Sequence, residues 1–168
     1  MDCSPFIKKL NIPDGFTAPR KLVHPAVVAH ALTRADLVED VRGINDSLAL
    51  INQTRGGGWP TEPVTDDFNF VDLVWHELEF REATSFAYVL RDTGGAYMGC
   101  AYLYPMGRRT PLTAALLDYD VDVSWWVIPA AYDRGLYATV YDALRGWLTT
   151  HFSFWRPYYS NREIPRGE

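Results

Sequence analysis

The stretch DVDVSWWVIPAAYDRGLYATVYDALRGWL, Asp120 to Leu148, holds residues whose spacing suits chemistry. Val121, Val123, Trp125 and Val127 alternate with Asp120, Asp122, Ser124 and Trp126, the period of a strand with one wetter face. Past Pro129 the period changes. Leu136, Val140, Ala143, Leu144, Trp147 and Leu148 recur at helical steps. A strand running straight into a helix leaves unpaired N–H groups at the turn, and with the helix dipole they form an anion site, most often for phosphate. The same architecture also occurs with no ligand.

Other reactive residue types read more plainly. Three consecutive glycines in GGGWPTEP, Gly56 to Pro63, suggest a phosphate cradle, but no Gly-Lys-Ser/Thr follows, so a flexible loop is the reading. His76 and Glu77 form half of a zinc-protease signature, and HELEF lacks the second histidine; no metal is expected. Glu77, Glu79 and Glu82 either line a pocket for a cationic substrate or solvate a helix face. Cys100 lies in an apolar run and reads as a buried thiol with no base beside it. Arg108-Arg109 reads as a solvated loop pair, and His24, His30 and His151 show no ligand spacing.

The elements that must position these groups fit one domain. The chain has 168 residues, 48% hydrophobic and 14% aromatic, which is too apolar for disorder. A net charge of −5 argues against general nucleic-acid binding. No apolar run approaches the roughly 20 residues a bilayer requires, and no signal-peptide core opens the chain, so a cytoplasmic protein is expected. Residues 1–20 read as an arm, 21–160 as a single domain and 161–168 as a tail.

Within the domain, Lys21 to Ala31 suits a first strand, and Thr33 and Asp36 cap a helix carrying Leu37, Val41, Ile44 and Leu48. A loop follows from Asn52 to Val64. Thr65 to Glu82 reads as a helix packed through Val71, Val74, Trp75, Leu78 and Glu82. Ser85 to Arg91 and Ala96 to Tyr104 read as central strands joined by a turn at DTGG. After the strand and helix of Asp120 to Leu148, Phe152 to Tyr159 offers a last strand. These residues alone indicate an α+β or α/β domain with helices on a mixed sheet.

DVSWWVIP, Asp122 to Pro129, with Gly135 beyond it, resembles the central motif of the GNAT N-acetyltransferases, whose common form is EIGYWVHP followed by YRGKGIG. Tyr132 stands where that family has Arg or Gln, and Tyr137 where it has Gly or Ala. With WHE at Trp75 to Glu77 and GCAYLYP at Gly99 to Pro105, the chain resembles a divergent, actinobacterial-type GNAT branch from roughly Pro19 to Pro157. The resemblance implies a mostly antiparallel sheet flanked by helices, ending here after the fifth strand, before the family's usual last helix and hairpin. It also implies a V-shaped splay between the strands Asp120 to Ile128 and Phe152 to Tyr159, where the pantetheine arm of acetyl-CoA pairs with exposed backbone.

The implied chemistry is transfer of an acetyl group from acetyl-CoA to an amine of a small molecule or peptide. An alkyl amine has a pKa near about 10, so a carboxylate must take its proton. The resemblance puts Asp122 in that role, with Asp120 beside it; the alternative is that both solvate an exposed strand face. It puts Tyr158, or Tyr159, in position to protonate the leaving thiolate, against the plainer reading of a packed phenol. Trp126, Val127, Ile128, Arg134, Gly135 and Leu136 are the implied cofactor contacts, a main-chain N–H near Val127 facing the oxyanion. Of Trp125 and Trp126, one indole belongs to the core and the other walls the groove. Tyr137 adds bulk at the diphosphate turn and Asp133 adds negative charge, which Arg134 can offset. The second function class is a non-catalytic protein on this fold that binds an acyl-CoA or small ligand, or serves as an interaction module. The aromatic last strand could also pair two copies into a homodimer.

Overall fold

The computed structural model describes Asp2, Cys3 and residues 5–166. Met1 and Ser4 of the expected arm, and Gly167 and Glu168 of the expected tail, lie outside the described residues. Six strands form one sheet in chain order: β1 (Lys21–Val23), β2 (Val27–Ala31), β3 (Phe86–Asp92), β4 (Tyr97–Tyr104), β5 (Val121–Val127) and β6 (Pro157–Tyr159). Neighbours are antiparallel through β5, and β6 runs parallel to β5. This is the mixed, mostly antiparallel sheet the sequence implies. It has one strand more than expected, because Lys21 to Ala31 folds back at His24 into a hairpin. The last strand is shorter than expected, and only Pro157–Tyr159 pairs.

Among the described residues five α-helices flank the sheet: α1 (Leu37–Asn45), α2 (Leu48–Thr54), α3 (Asp66–Arg81), α4 (Pro129–Asp133) and α5 (Leu136–His151). Thr33 and Asp36 form a capping box ahead of α1, as their types predict. The expected loop from Asn52 begins three residues late, because α2 continues through Thr54. The helix expected from Pro129 onward is broken at Gly135, whose φ of +76° is open to glycine at little cost. The apolar stripe of α5 is buried as read: Leu136, Val140, Ala143, Leu144, Trp147 and Leu148 all face the sheet. Among the described residues no helix is long and apolar enough to cross a membrane.

The face of α3 is a correction. Its buried residues are Asn69, Leu73, His76 and Phe80, while Val71 and Trp75 point outward, Trp75 with 57% of its surface exposed. Apolar periodicity pointed the wrong way because two inward positions are polar and paired. Asn69 donates to Asp40 Oδ2 at 2.8 Å, and Tyr97 and Cys100 donate to Asp40 Oδ1. Burial raises the Asp40 carboxyl above its ordinary range and pushes the Cys100 thiol well up. Cys100 is therefore buried as expected, but a carboxylate does stand beside it.

Two cores follow from the strand alternation. Val121, Val123, Trp125 and Val127 join α5 on one face, while Trp126 joins Ile44, Ile51, Leu73 and Tyr102 on the other. Both indoles are fully buried, so neither walls an open groove. Gly99, at φ +145°, lets the Trp126 carbonyl come against its Cα where a Cβ would collide. The α3 assignment predicts that Leu73→Ala costs about 2–5 kcal/mol in urea unfolding, whereas Trp75→Ala costs less than about 1 kcal/mol.

Candidate functional site

In an antiparallel pair the main-chain groups of alternate residues face the partner strand. Ile128 N–H donates to Met98 C=O, which sets the phase: Asp122, Ser124 and Trp126 face β4, and Val121, Val123, Trp125 and Val127 face β6. Past Tyr159 the chain leaves β5, so Trp125 and Val127 border the splay where a pantetheine arm would pair. That edge is already used. Ser160 N–H donates to Val123 C=O at 2.9 Å. Asn161 then places its carboxamide on Trp125 as a strand residue would, Oδ1 accepting from Trp125 N–H (3.1 Å) and Nδ2 donating to Trp125 C=O (2.9 Å).

Tyr137 completes the closure. Its ring stacks on the Trp125 indole with centroids 5.1 Å apart, and only 3% of its surface is exposed. Its hydroxyl accepts from Asn161 Nδ2 (2.7 Å) and donates to Glu163 C=O (2.5 Å). Arg162 and Glu163 N–H groups donate to the carbonyls of Arg55 and Thr54, satisfying the end of α2. Residues 160–163 thus bridge the β5 edge and α2. The Glu163 carboxylate accepts from Tyr132 at 2.7 Å, which raises that phenol's pKa and adds a negative charge near the start of α5.

The implied site residues fall into separate surroundings. Asp122 is fully buried (0% exposed), so neither the solvated-face reading nor ready contact with an amine holds in this arrangement; Ser160 donates to its Oδ1, and Oδ2 has no hydrogen-bond partner among the described residues. Asp120 anchors the backbone instead, accepting from the Trp155 and Arg156 N–H groups. Tyr158 is half-buried and packs edge-on against Tyr119. The Trp126 indole donates to Tyr102, and its peptide faces β4. Ile128 accepts from Ala131 and Tyr132 at the start of α4. Arg134 pairs with Asp92 at 3.5 Å, Gly135 is exposed and Leu136 is buried. Of the implied cofactor contacts, Val127 alone brings main-chain groups to the splay. The residues present do not fit a pantetheine arm while Asn161 and Tyr137 hold these positions.

The polar residues that do converge lie on the other face of the sheet. Arg55, Gly56, Gly57, Trp59, Phe68, Asp72, His76, Tyr102, Tyr104, Arg108 and Arg109 enclose a cleft of about 370 Å³. Arg55 is only 6% exposed; its Nε donates to Ser124 and its guanidinium lies 4.4 Å from the Tyr102 ring centre. Arg109 is not a solvated loop residue. It donates to the carbonyls of Arg55 and Gly56 and to Ser160, which holds the triple-glycine turn in place. Burial, then the like charge of Arg55, pushes Arg109 down to about 10, and it stays charged at neutral pH. Arg108 lies over Tyr104 at 4.2 Å and pairs with Glu79. Glu77 pairs with Arg34, Glu79 with Arg108 and Glu82 with Arg81, so the three glutamates do not converge on a pocket for a cation; Glu82 and Arg81 lie in solvent. His76 is buried, 3.3 Å from Asp72, and stacked on Tyr104.

Sequence reading missed Asn161, Ser160 and Arg55. The available signal was Ser124, a polar residue between apolar neighbours in a strand that is buried throughout; Asn161 carried none.

Comparison of the whole chain with solved structures identifies the architecture. The chain is similar to RimL, a ribosomal L7/L12 alpha-N-protein acetyltransferase in complex with coenzyme A, with a TM-score of 0.58 at 10% identity over 77% of this chain and 68% of that one. The chain has the GNAT fold. A putative ribosomal-protein-serine acetyltransferase from Vibrio cholerae matches this GNAT-fold chain with a TM-score of 0.58 at 11% identity, over 79% of this chain and 68% of that one. A putative GNAT-family acetyltransferase from Bordetella pertussis matches at 0.51 and 19% identity, over 79% and 73%. No family model and no curated protein sequence matches the chain.

The closure in this GNAT fold has a measurable consequence. Removing the carboxamide leaves two buried peptide groups of Trp125 unpaired, so Asn161→Ala should cost about 1–3 kcal/mol in chemical denaturation. Tyr137→Phe should cost about 1–2 kcal/mol for its lost hydroxyl bonds, and the exposed Arg162→Ala close to nothing.

Proposed function

We propose that this chain is a non-catalytic protein on the GNAT fold that binds a small ligand in the arginine–tyrosine cleft. It does not move an acetyl group from acetyl-CoA through the usual slot. The observation that carries this reading is the Asn161 carboxamide on both peptide groups of Trp125, locked by the Tyr137 hydroxyl. A thioester arm would have to displace three hydrogen bonds and a buried ring stack before gaining any of its own. A diphosphate at the start of α5 would then meet the carboxylates of Asp133 and Glu163. A general base must come within hydrogen-bond reach of the amine, and Asp122 lies behind Ser160 instead.

One observation favours a second reading, an N-acetyltransferase opened by withdrawal of residues 160–163. Val127 presents its peptide to the splay, where the sequence resemblance puts the oxyanion donor, and the fold likeness includes an acetyltransferase in complex with coenzyme A. In that reading acetyl-CoA is the donor, Asp122 the base and Tyr158 the acid, and the acceptor is a small-molecule or peptide amine.

Thermal unfolding with acetyl-CoA separates the two. A ligand at one hundred times its dissociation constant stabilises by about 2.7 kcal/mol. The first reading predicts no shift at millimolar acetyl-CoA and no thiol release with amine acceptors. A shift that grows in Asn161→Ala, together with turnover lost in Asp122→Asn, would establish the second.

A further inference from the structure

The cleft beside the closed slot holds more positive charge than the protein neutralises. Arg55 and Arg109 are neighbours, and among the described residues neither has a carboxylate within 4.0 Å. Asp122 acts on Arg109 only from a distance, Asp72 is engaged by His76, and Glu79 is engaged by Arg108. Arg109 directs its terminal nitrogens to carbonyls and Ser160. Arg55 differs. Its Nε is spent on Ser124, while its two terminal nitrogens make no hydrogen bond among the described residues and keep some exposure to the cleft. A guanidinium fork that opens on a cleft and has no protein acceptor is a ready partner for a carboxylate. The Tyr102 and Trp59 rings hold that guanidinium at 4.4 and 5.6 Å and so fix the plane of its fork.

We propose that the cleft binds a small carboxylic acid with a ring-sized apolar body. The carboxylate sits on the two free nitrogens of Arg55, in the bidentate geometry that guanidinium favours. The apolar body lies among Trp59, Phe68 and Tyr104, which line the cleft. Arg108, at the exposed rim, adds long-range attraction. A cationic amine is disfavoured, since it would enter beside Arg55 and Arg109, with Arg108 paired to Glu79 and Asp72 as the one carboxylate lining the cleft. The proposal rests on the reading of the chain as a ligand-binding protein, and names the ligand class for that site.

Calorimetric titration of the full chain tests it, with benzoate as the probe, benzamide as its uncharged counterpart, and benzylamine and inorganic phosphate as alternatives. Saturable benzoate binding is expected, with benzamide and benzylamine at least tenfold weaker. Arg55→Gln should weaken benzoate about tenfold or more, the worth of a charged hydrogen-bond pair. Arg108→Gln, at an exposed position that leaves the core untouched, should weaken it severalfold and keeps the test decisive if Arg55→Gln fails to fold. Absent benzoate binding, equal binding of benzamide, or benzoate binding unchanged in the folded variants would overturn the proposal. Phosphate binding without benzoate binding would also overturn it, and would assign the cleft to a phosphate ligand. Acetyl-CoA turnover is followed separately. Turnover would sink the non-catalytic reading while leaving the benzoate result to stand or fall alone.

Discussion

The side chain of Asn161 on the peptide groups of Trp125 closes the open edge of β5, and the surrounding packing depends on that closure. A splayed strand pair exposes one or two peptide groups that water or a ligand must satisfy, because buried main-chain donors are rarely left unpaired. Here the chain satisfies them itself. A carboxamide is the side chain that carries both a donor and an acceptor in peptide geometry, so it extends the parallel ladder by one step after β6 has ended. Tyr137 is held in turn, because its hydroxyl is needed by Asn161 and Glu163. The turn where the sequence resemblance implies glycine or alanine is filled here by the buried ring of Tyr137.

The closure also shapes the cleft on the opposite face. Residues 160–163 pair with the end of α2, and Arg55 follows directly from that end. Ser160 both donates to Asp122 and accepts from Arg109, so one hydroxyl joins the strand, the tail and the arginine that braces the glycine turn. The sealed slot and the charged cleft are two sides of one polar network across β5. Fold alone does not assign activity, and the site must carry that argument. In this chain the proposed site lies where the arginines converge.

Much of the architecture was legible because periodicity is set by burial on a regular element. The stripe of α5 and the two central strands read correctly from apolar spacing, whereas the face of β5 read as wetter, with Asp122, Ser124 and Trp126, is fully buried. The face of α3 was also misread, because Asn69 and His76 sit inward and Val71 and Trp75 outward, reversing the usual relation of polarity to depth. The site was legible only as a question: Tyr137 stood out as too large for a phosphate turn. Its partner did not, since an asparagine 24 residues away carries no local sign that it will lie against a strand edge. Arg109 was misread as solvated for the same reason, its partners being main-chain carbonyls rather than acids.

Amide hydrogen exchange at Trp125 tests the closure most directly, because among the described residues that N–H has no partner other than the Asn161 side chain. Protection comparable with the interior of β5, unchanged by millimolar acetyl-CoA, is the predicted result. Fast exchange at Trp125 in the free protein, or protection that appears only when acetyl-CoA is added, would contradict it and return the slot to the cofactor.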